Sequence, residues 1–310
     1  MKIGIPRALL YYWYGHQWTY FWRSCGWETL VSAPTDRAIL RSGAARAVDE
    51  LCLPVKIFIG HVLALQPVVD RIMVPHLIRV EPDAYICPKF MGLPDLVAHT
   101  APEAAAQVIT VQVGPKRTNQ WRALAAAAVA AGVNRGRVPK TPPPEWGMSP
   151  ALQEAAAAGR CDVGDGQPEL TVGLLGHPYC LYDACFNLDL LRSLARNRVR
   201  FLTPEQMPPE YQGSGSDRLE KELFWTVGRK QLDALQWMLR QTVNPLEGLI
   251  LVTPFACGPE ALVGDLLERR IRQAGLPLLK LNYEEHSGEA GVITRLEAFL
   301  DLIKFRSKVC

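Results

Sequence analysis

The sequence predicts an α/β protein made of two parallel-sheet halves joined by a helical linker. Three observations carry that expectation. Short apolar runs alternate with longer helical stretches, the pattern of strands and crossover helices. The pattern restarts at Leu170. The chain has 310 residues, about two domains at ~150 residues each.

The elements follow in order. Residues 2–6 (KIGIP) form a short apolar run closed by Pro6 and read as a buried strand. Residues 13–25 are aromatic-rich and read as a helix, and Glu28 to Ser32 as a second strand. Pro34-Thr35-Asp36 opens the next helix with an N-cap signal. Residues 53–66 read as a helix, with Pro54 in the first turn where it is tolerated. Arg71 to Pro75, Asp83 to Cys87 and Gln107 to Val113 give three more strands. These elements make an N-terminal α/β domain over 1–115.

Residues 116–169 change character and are expected to form the linker. An alanine-rich helix (about 119–132) leads through TPPPEWG to a second one (about 150–158), and the turn-rich GRCDVGDGQPE follows. The C-terminal α/β domain spans 170–310. Its opening can be laid under residue 1 onward, with Ile3-Gly4-Ile5 on Val172-Gly173-Leu174. Later, AYICPKFMGLPDL can be laid under ILVTPFACGPEAL, with Gly92 on Gly258 and Asp95 near Glu260. Two matches in the same order suggest an internal duplication, with right-handed crossovers in each half.

Hydrophobic residues make up 48% of the chain and charged residues 21%, values of an ordinary globular protein. The formal net charge of +3 supports neither a nucleic-acid nor a membrane partner. The first residues hold no signal-peptide core. The longest uncharged small-apolar stretch, Ala123 to Asn134, is too short for a bilayer span of ~20 residues. A cytoplasmic location is therefore expected. There, the eight cysteines are free core thiols, metal ligands or reactive thiols rather than disulfides.

Four of them fall near loops. Cys87 is expected at a strand end, Cys257 just past one, Cys180 after the restarted strand, and Cys52 at a helix start. Open α/β sheets place ligands beyond strand carboxyl ends, and a helix N-terminus favours the thiolate that metals need. Pro beside a cysteine limits backbone freedom. The spacing lacks CxxC pairs and ferredoxin-type runs. Thiols on separate loops of two domains suit a shielded, redox-tuned cluster better than a local zinc staple, but buried free cysteines fit the same pattern. Cys25 reads as core, Cys161 and Cys310 as bystanders, and Cys185 as ambiguous.

Six strings carry a family resemblance. They are IGIPRALLYY (3–12), DELCLPVKIFIGHV (49–62), YICPKFMGLPD (85–95), GHPYCLYD (176–183), TPFACGPEALVGDLLERR (253–270) and EEHSGEAGVITRLEAFLD (284–301). At these strings the chain resembles the D-component family of 2-hydroxyacyl-CoA dehydratases, and more closely its activase-related branch, which includes double-cubane-cluster proteins. The resemblance implies paired Rossmann- or flavodoxin-like domains and an iron–sulfur cluster on the motifs that hold Cys52, Cys87 and Cys257. It also implies an ATP-hydrolysing iron–sulfur activase as electron donor. A difficult reduction of an acyl-CoA or another small molecule would follow. The expected cofactor is one Fe4S4 cluster, with a double cubane as the larger form. Three thiolates leave one iron open for substrate. Cys180, where the branch is more often polar, would be a fourth ligand closing the cluster, or would join Cys185 and Cys25 in building a larger one.

Other residues carry two readings each. Lys56 and Lys89 either compensate cluster charge or are surface lysines. His61 and His177 either donate to sulfur or are structural. Ser287 with Glu289 reads as a helix cap, and Tyr179 and Tyr182 as core or pocket walls. Two functions compete. One is a reductase- or dehydratase-like component; the other is a non-catalytic electron carrier with a fully ligated cluster. A metal-free nucleotide-binding module is disfavoured because neither G-x-G-x-x-G nor G-x-x-x-x-G-K-[ST] occurs. A homodimer is the default assembly.

Overall fold

A computed structural model describes residues 1–81, 84–113, 120–141, 169–243 and 245–309. The chain divides into two compact units, Met1–Pro150 with Phe224–Thr226, and Ala151–Leu223 with Val227–Cys310. The second alanine-rich helix, the GRCDVGDGQPE turn up to residue 168 and Cys161 lie outside the described residues, as does Cys310.

In the first unit β1 (Lys2–Ile5), α1 (Tyr11–Ser24), β2 (Glu28–Val31), α2 (Arg37–Arg46), α3 (Leu53–Leu65) and β3 (Arg71–Leu77) follow one another. Then come α4 (Pro88–Met91), α5 (Leu93–Thr100), β4 (Val108–Val113) and α6 (Gln120–Ala130). The sheet is parallel, in the order β2-β1-β3-β4. Its central strands β1 and β3 are apolar and buried because helices cover both faces. Asp36 caps α2 as its position predicts, its carboxylate accepting from the Ile39 amide at 2.8 Å. The alanine-rich α6 packs on β4 and α1, with Trp121 edge-on to Phe21 at 4.9 Å.

The α2–α3 pair sets the position of α3. A Cβ on Gly43 would lie 1.9 Å from the Lys56 carbonyl oxygen, and one on Gly60 2.0 Å from that of Ile39. Only glycine lets the two backbones come so close.

One expected strand is corrected. Of the strand expected over Asp83 to Cys87, the described residues 84–87 do not join the sheet. Residues 82–83 lie outside the described set, while Ala84 bridges Glu81 and Tyr85 bridges Trp225. The Tyr85 amide donates to the Phe224 carbonyl at 2.6 Å, and the Thr226 amide to the Tyr85 carbonyl at 3.0 Å. The short apolar run is thus completed by a segment distant in sequence.

The second unit holds β5 (Leu170–Gly176), α7 (Pro178–Leu181), α8 (Leu190–Arg196), β6 (Val199–Leu202), α9 (Thr226–Met238, from its second residue), β7 (Gly248–Pro254), α10 (Gly258–Gln273), β8 (Leu278–Tyr283) and α11 (Glu289–Val309). Its parallel sheet runs β6-β5-β7-β8. Both sheets therefore have the order second-first-third-fourth, the flavodoxin-like arrangement that a duplication predicts. The proposed overlay of the later passages is out of register, however. The strand equivalent to β7 is β3, not Ala84 to Pro88. Among the described residues no helix is long and apolar enough to cross a membrane.

Candidate functional site

Three of the four expected ligand cysteines share one local structure. Cys52 is the N-cap of α3, Cys87 of α4 and Cys257 of α10. Each has an extended backbone, and each is followed by a proline in the first two helical positions: Pro54, Pro88 and Pro259. At an N-cap the side chain sits beside first-turn amides that lack intrahelical partners. A thiolate there gains from those dipoles. Proline starts the helix without adding a further N–H. Cys87 and Cys257 are also topological equivalents, since each caps the helix that follows the third strand of its sheet.

In the first unit the loops of Cys52 and Cys87 meet. Lys89 Nζ donates to the Glu50 carbonyl at 3.2 Å, and Leu51, Pro88 and Lys89 line one cavity of about 390 Å3. Burial pushes the Cys52 thiol up, and the Lys89 ammonium, first-turn amides and Lys56 pull it back. Burial likewise raises Cys87, and the neighbouring Cys52 adds to the rise against the Phe90 and Lys89 amides and the Lys89 charge. Two thiols sense each other, and a lysine favours the thiolate of both. The surface reading of Lys56 is overturned: it is 3% exposed, within the α2–α3 contact.

In the second unit Cys257 lies on the β7–α10 turn. Ala256 before it has φ +61°, a left-handed backbone that costs a non-glycine residue about 1–2 kcal/mol. The turn borders a cavity of about 680 Å3 beside β7, β8 and the start of α10. Glu260, in the first turn of α10, is buried and lines this cavity. Its Oε2 accepts from Gln231 Nε2 at 3.0 Å and stands 3.3 Å from His177 Nδ1, without hydrogen-bond alignment to the imidazole. His177 stacks on Tyr179 with ring centroids 5.1 Å apart. Burial pushes the imidazole towards neutrality, against the pull of Glu260.

Cys180 departs from the N-cap pattern. It lies within α7 at 0% exposure, near Tyr283, whose phenol is raised first by burial, with Cys180 adding to the rise against Arg295. Cys25 is core, as expected, and burial raises its thiol to about 11. Cys185 is half-buried, and its amide donates to Asp183 Oδ1 at 3.0 Å.

His61 takes its structural reading. Nδ1 is 2.9 Å from Ser32 Oγ and Nε2 is 3.0 Å from Thr35 Oγ1, so neither ring nitrogen is left to offer a sulfur. Burial, then Arg7, lowers it to about 4. Tyr182 is half-buried, its hydroxyl 2.8 Å from Thr203 Oγ1 and from Glu205 Oε2. Ser287 does not cap α11. Its hydroxyl accepts from the Glu284 amide at 2.9 Å and closes the preceding turn.

Glu260 and Gln231 had not stood out as site residues. The sequence signal for Glu260 was an acid three residues after an N-cap cysteine, the capping-box spacing. Among the described residues, no three His, Cys, Asp or Glu side chains stand together as a metal-holding group.

Two parallel open sheets, with three thiols at helix N-caps, define a two-unit flavodoxin-like α/β protein. The sequence matches the family model described as CoA enzyme activase uncharacterised domain (DUF2229) over residues 2–207, and the chain belongs to that family. The matched span includes Cys52, Cys87 and Cys180 and stops short of Cys257. No curated protein matches the chain.

Proposed function

We propose that this protein is the iron–sulfur partner of an ATP-hydrolysing activase, accepting low-potential electrons and using them in a difficult reduction of a small molecule or an acyl-CoA. The observation that carries the reading is the shared setting of Cys52, Cys87 and Cys257, each a helix N-cap with a following proline. The family's name, a CoA enzyme activase domain, supports work alongside a CoA enzyme. The D-component kinship and a homodimeric assembly are part of the same proposal.

The donor set fits an iron–sulfur cluster in kind. Burial raises the Cys52 and Cys87 thiols, and Lys89 with the helix amides pulls both back towards the thiolate form a cluster needs. When bound, the group would supply one-electron reducing power and an iron site open to substrate. The chain's own part is separable from that chemistry. Cys52, Cys87 and Cys257 bind, Lys89 offsets negative charge, and the glycine contact under α3 fixes where Cys52 stands. Cys180 is the proposed fourth ligand only if the cluster is closed.

Iron and acid-labile sulfide in anaerobically purified protein test the reading. About four irons per chain are expected for a single Fe4S4, or about eight for a double cubane. Serine at Cys52, Cys87 or Cys257 should lower both contents. Colourless, iron-free protein after anaerobic reconstitution overturns the proposal.

A further inference from the structure

The cavity between Leu51 and α5 contains groups that the proposed electron-transfer role leaves unused. Its volume of about 390 Å3 is at the small end for ligand pockets. Lys89, Asp95 and His99 line it, Leu51, Pro88 and Leu96 form its apolar part, and none of the cysteines proposed as cluster ligands is among its walls. Asp95 lies in the first turn of α5, and His99 follows it one turn later on the same face. His99 Nδ1 is 2.7 Å from the Asp95 carbonyl oxygen. A carbonyl only accepts, so Nδ1 donates, and in the neutral ring Nε2 is left as an acceptor. The Asp95 carboxylate has no hydrogen-bond or ion-pair partner among the described residues. Both residues are exposed. Lys89 gives one N–H to the Glu50 carbonyl at 3.2 Å and makes no ion pair with Asp95.

Charge decides what fits. An anion alone would gain from Lys89 but meet the Asp95 carboxylate. A cation alone would gain from Asp95 but meet the Lys89 ammonium. A small molecule with both charges satisfies both walls through charge-assisted hydrogen bonds. Leu51, Pro88 and Leu96 favour an apolar body on the same molecule, because they remove it from water.

We propose that this cavity binds an α-amino acid with an apolar side chain. Its carboxylate meets Lys89, its ammonium meets Asp95 and His99 Nε2, and its side chain packs against Leu51 and Leu96. The proposal goes beyond the electron-transfer reading and needs no cluster.

The test uses the full chain, prepared anaerobically at neutral pH. L-Norleucine, hexanoate (the same body without the ammonium) and pentylammonium (without the carboxylate) are titrated separately at equal ionic strength by calorimetry. Norleucine should bind saturably and about threefold or more tighter than either analogue, as expected for a solvent-exposed charge pair. Asp95→Asn should weaken norleucine but not hexanoate. Lys89→Met should weaken norleucine and hexanoate but not pentylammonium. A merely structural role would not give this crossed pattern. Gly92→Leu should abolish binding of all three. Gly92 lines the cavity with φ −92°, which any residue adopts, and a Cβ there meets only the Pro88 carbonyl oxygen at 3.7 Å, so the longer side chain fills the space. If a charge variant does not fold by circular dichroism, Gly92→Leu decides. Either analogue binding as tightly as norleucine, equal losses for all three ligands in a charge variant, binding that survives in Gly92→Leu, or no saturable binding overturns the proposal. Iron measured on the same sample tests the cluster reading separately. Iron-free protein that binds norleucine supports this site and counts against the cluster, and iron-bearing protein that does not bind it does the reverse.

Discussion

The α-carbons of Gly43 and Gly60 bring α2 and α3 into backbone contact. A methyl group at either would fall about 2 Å from the opposing carbonyl oxygen, at 1.9 and 2.0 Å. Because α3 begins at Cys52, this contact fixes the height of a candidate ligand. Gly60→Ala should destabilise the protein by at least 1–3 kcal/mol, the usual overpacking range. It should also speed alkylation of Cys52. Gly291→Ala in α11, where a Cβ meets nothing within 4 Å, should be neutral or stabilising by up to about 1 kcal/mol. Chemical denaturation of the two variants checks both, and equal midpoints would remove the contact's structural role.

His61 should make stability pH-dependent in a set direction. Its folded pKa of about 4 lies below the usual 6.5. Between these values the unfolded chain binds the extra proton, so stability rises with pH through that window and falls as pH drops from 6.5 towards 4. The full difference is on the order of 3 kcal/mol. His177, also lowered by burial, acts in the same direction. His61→Asn, which keeps polar atoms near Ser32 and Thr35, should flatten the urea midpoint between pH 7 and pH 5 relative to the parent. An unchanged slope would mean that the imidazole does not carry it.

Cys180 would separate an open from a closed form of the proposed cluster. Its burial within α7, away from a helix N-cap, argues for packing. Cys180→Ser should therefore keep the iron content while Cys257→Ser lowers it. Iron lost in the Cys180 variant would support full ligation and the electron-carrier function.

Thiol labelling should follow burial and pKa. Cys25 is buried, with its thiol raised to about 11, whereas Cys185 is half-buried. Under native conditions at pH 8, iodoacetamide should modify Cys185 much faster than Cys25, as peptide mass spectrometry would read directly. Comparable rates would contradict the packing of α1.

Local signals carried most of the fold. Asp36 announced α2, Cys52-Leu53-Pro54 announced α3, and the uninterrupted apolar run from Leu170 announced a central strand, because caps, first-turn prolines and buried parallel strands are written in neighbouring residues. The same holds for the N-cap cysteines. The strand expected over Asp83 to Cys87 was misleading, since Tyr85 pairs with Trp225 outside the sheet and no local pattern announces a distant partner. The Glu260–Gln231–His177 group was hidden for the same reason: three separate elements bring it together. The surface reading stayed open for Lys56 because its burial depends on α2, whose close approach only the glycines permit.

The pairing of Tyr85 with Phe224–Thr226 has a consequence for biosynthesis. Chains emerge from the ribosome in order, and early domains usually fold as they appear. Here the first unit cannot close its hydrogen bonds at Tyr85 until residue 226 has been made. The Cys87 turn, two residues after Tyr85, therefore gains its last backbone support late in translation. A fragment ending before Phe224 would leave that turn unsupported, so expression of the N-terminal half alone is a poor substitute for the whole chain.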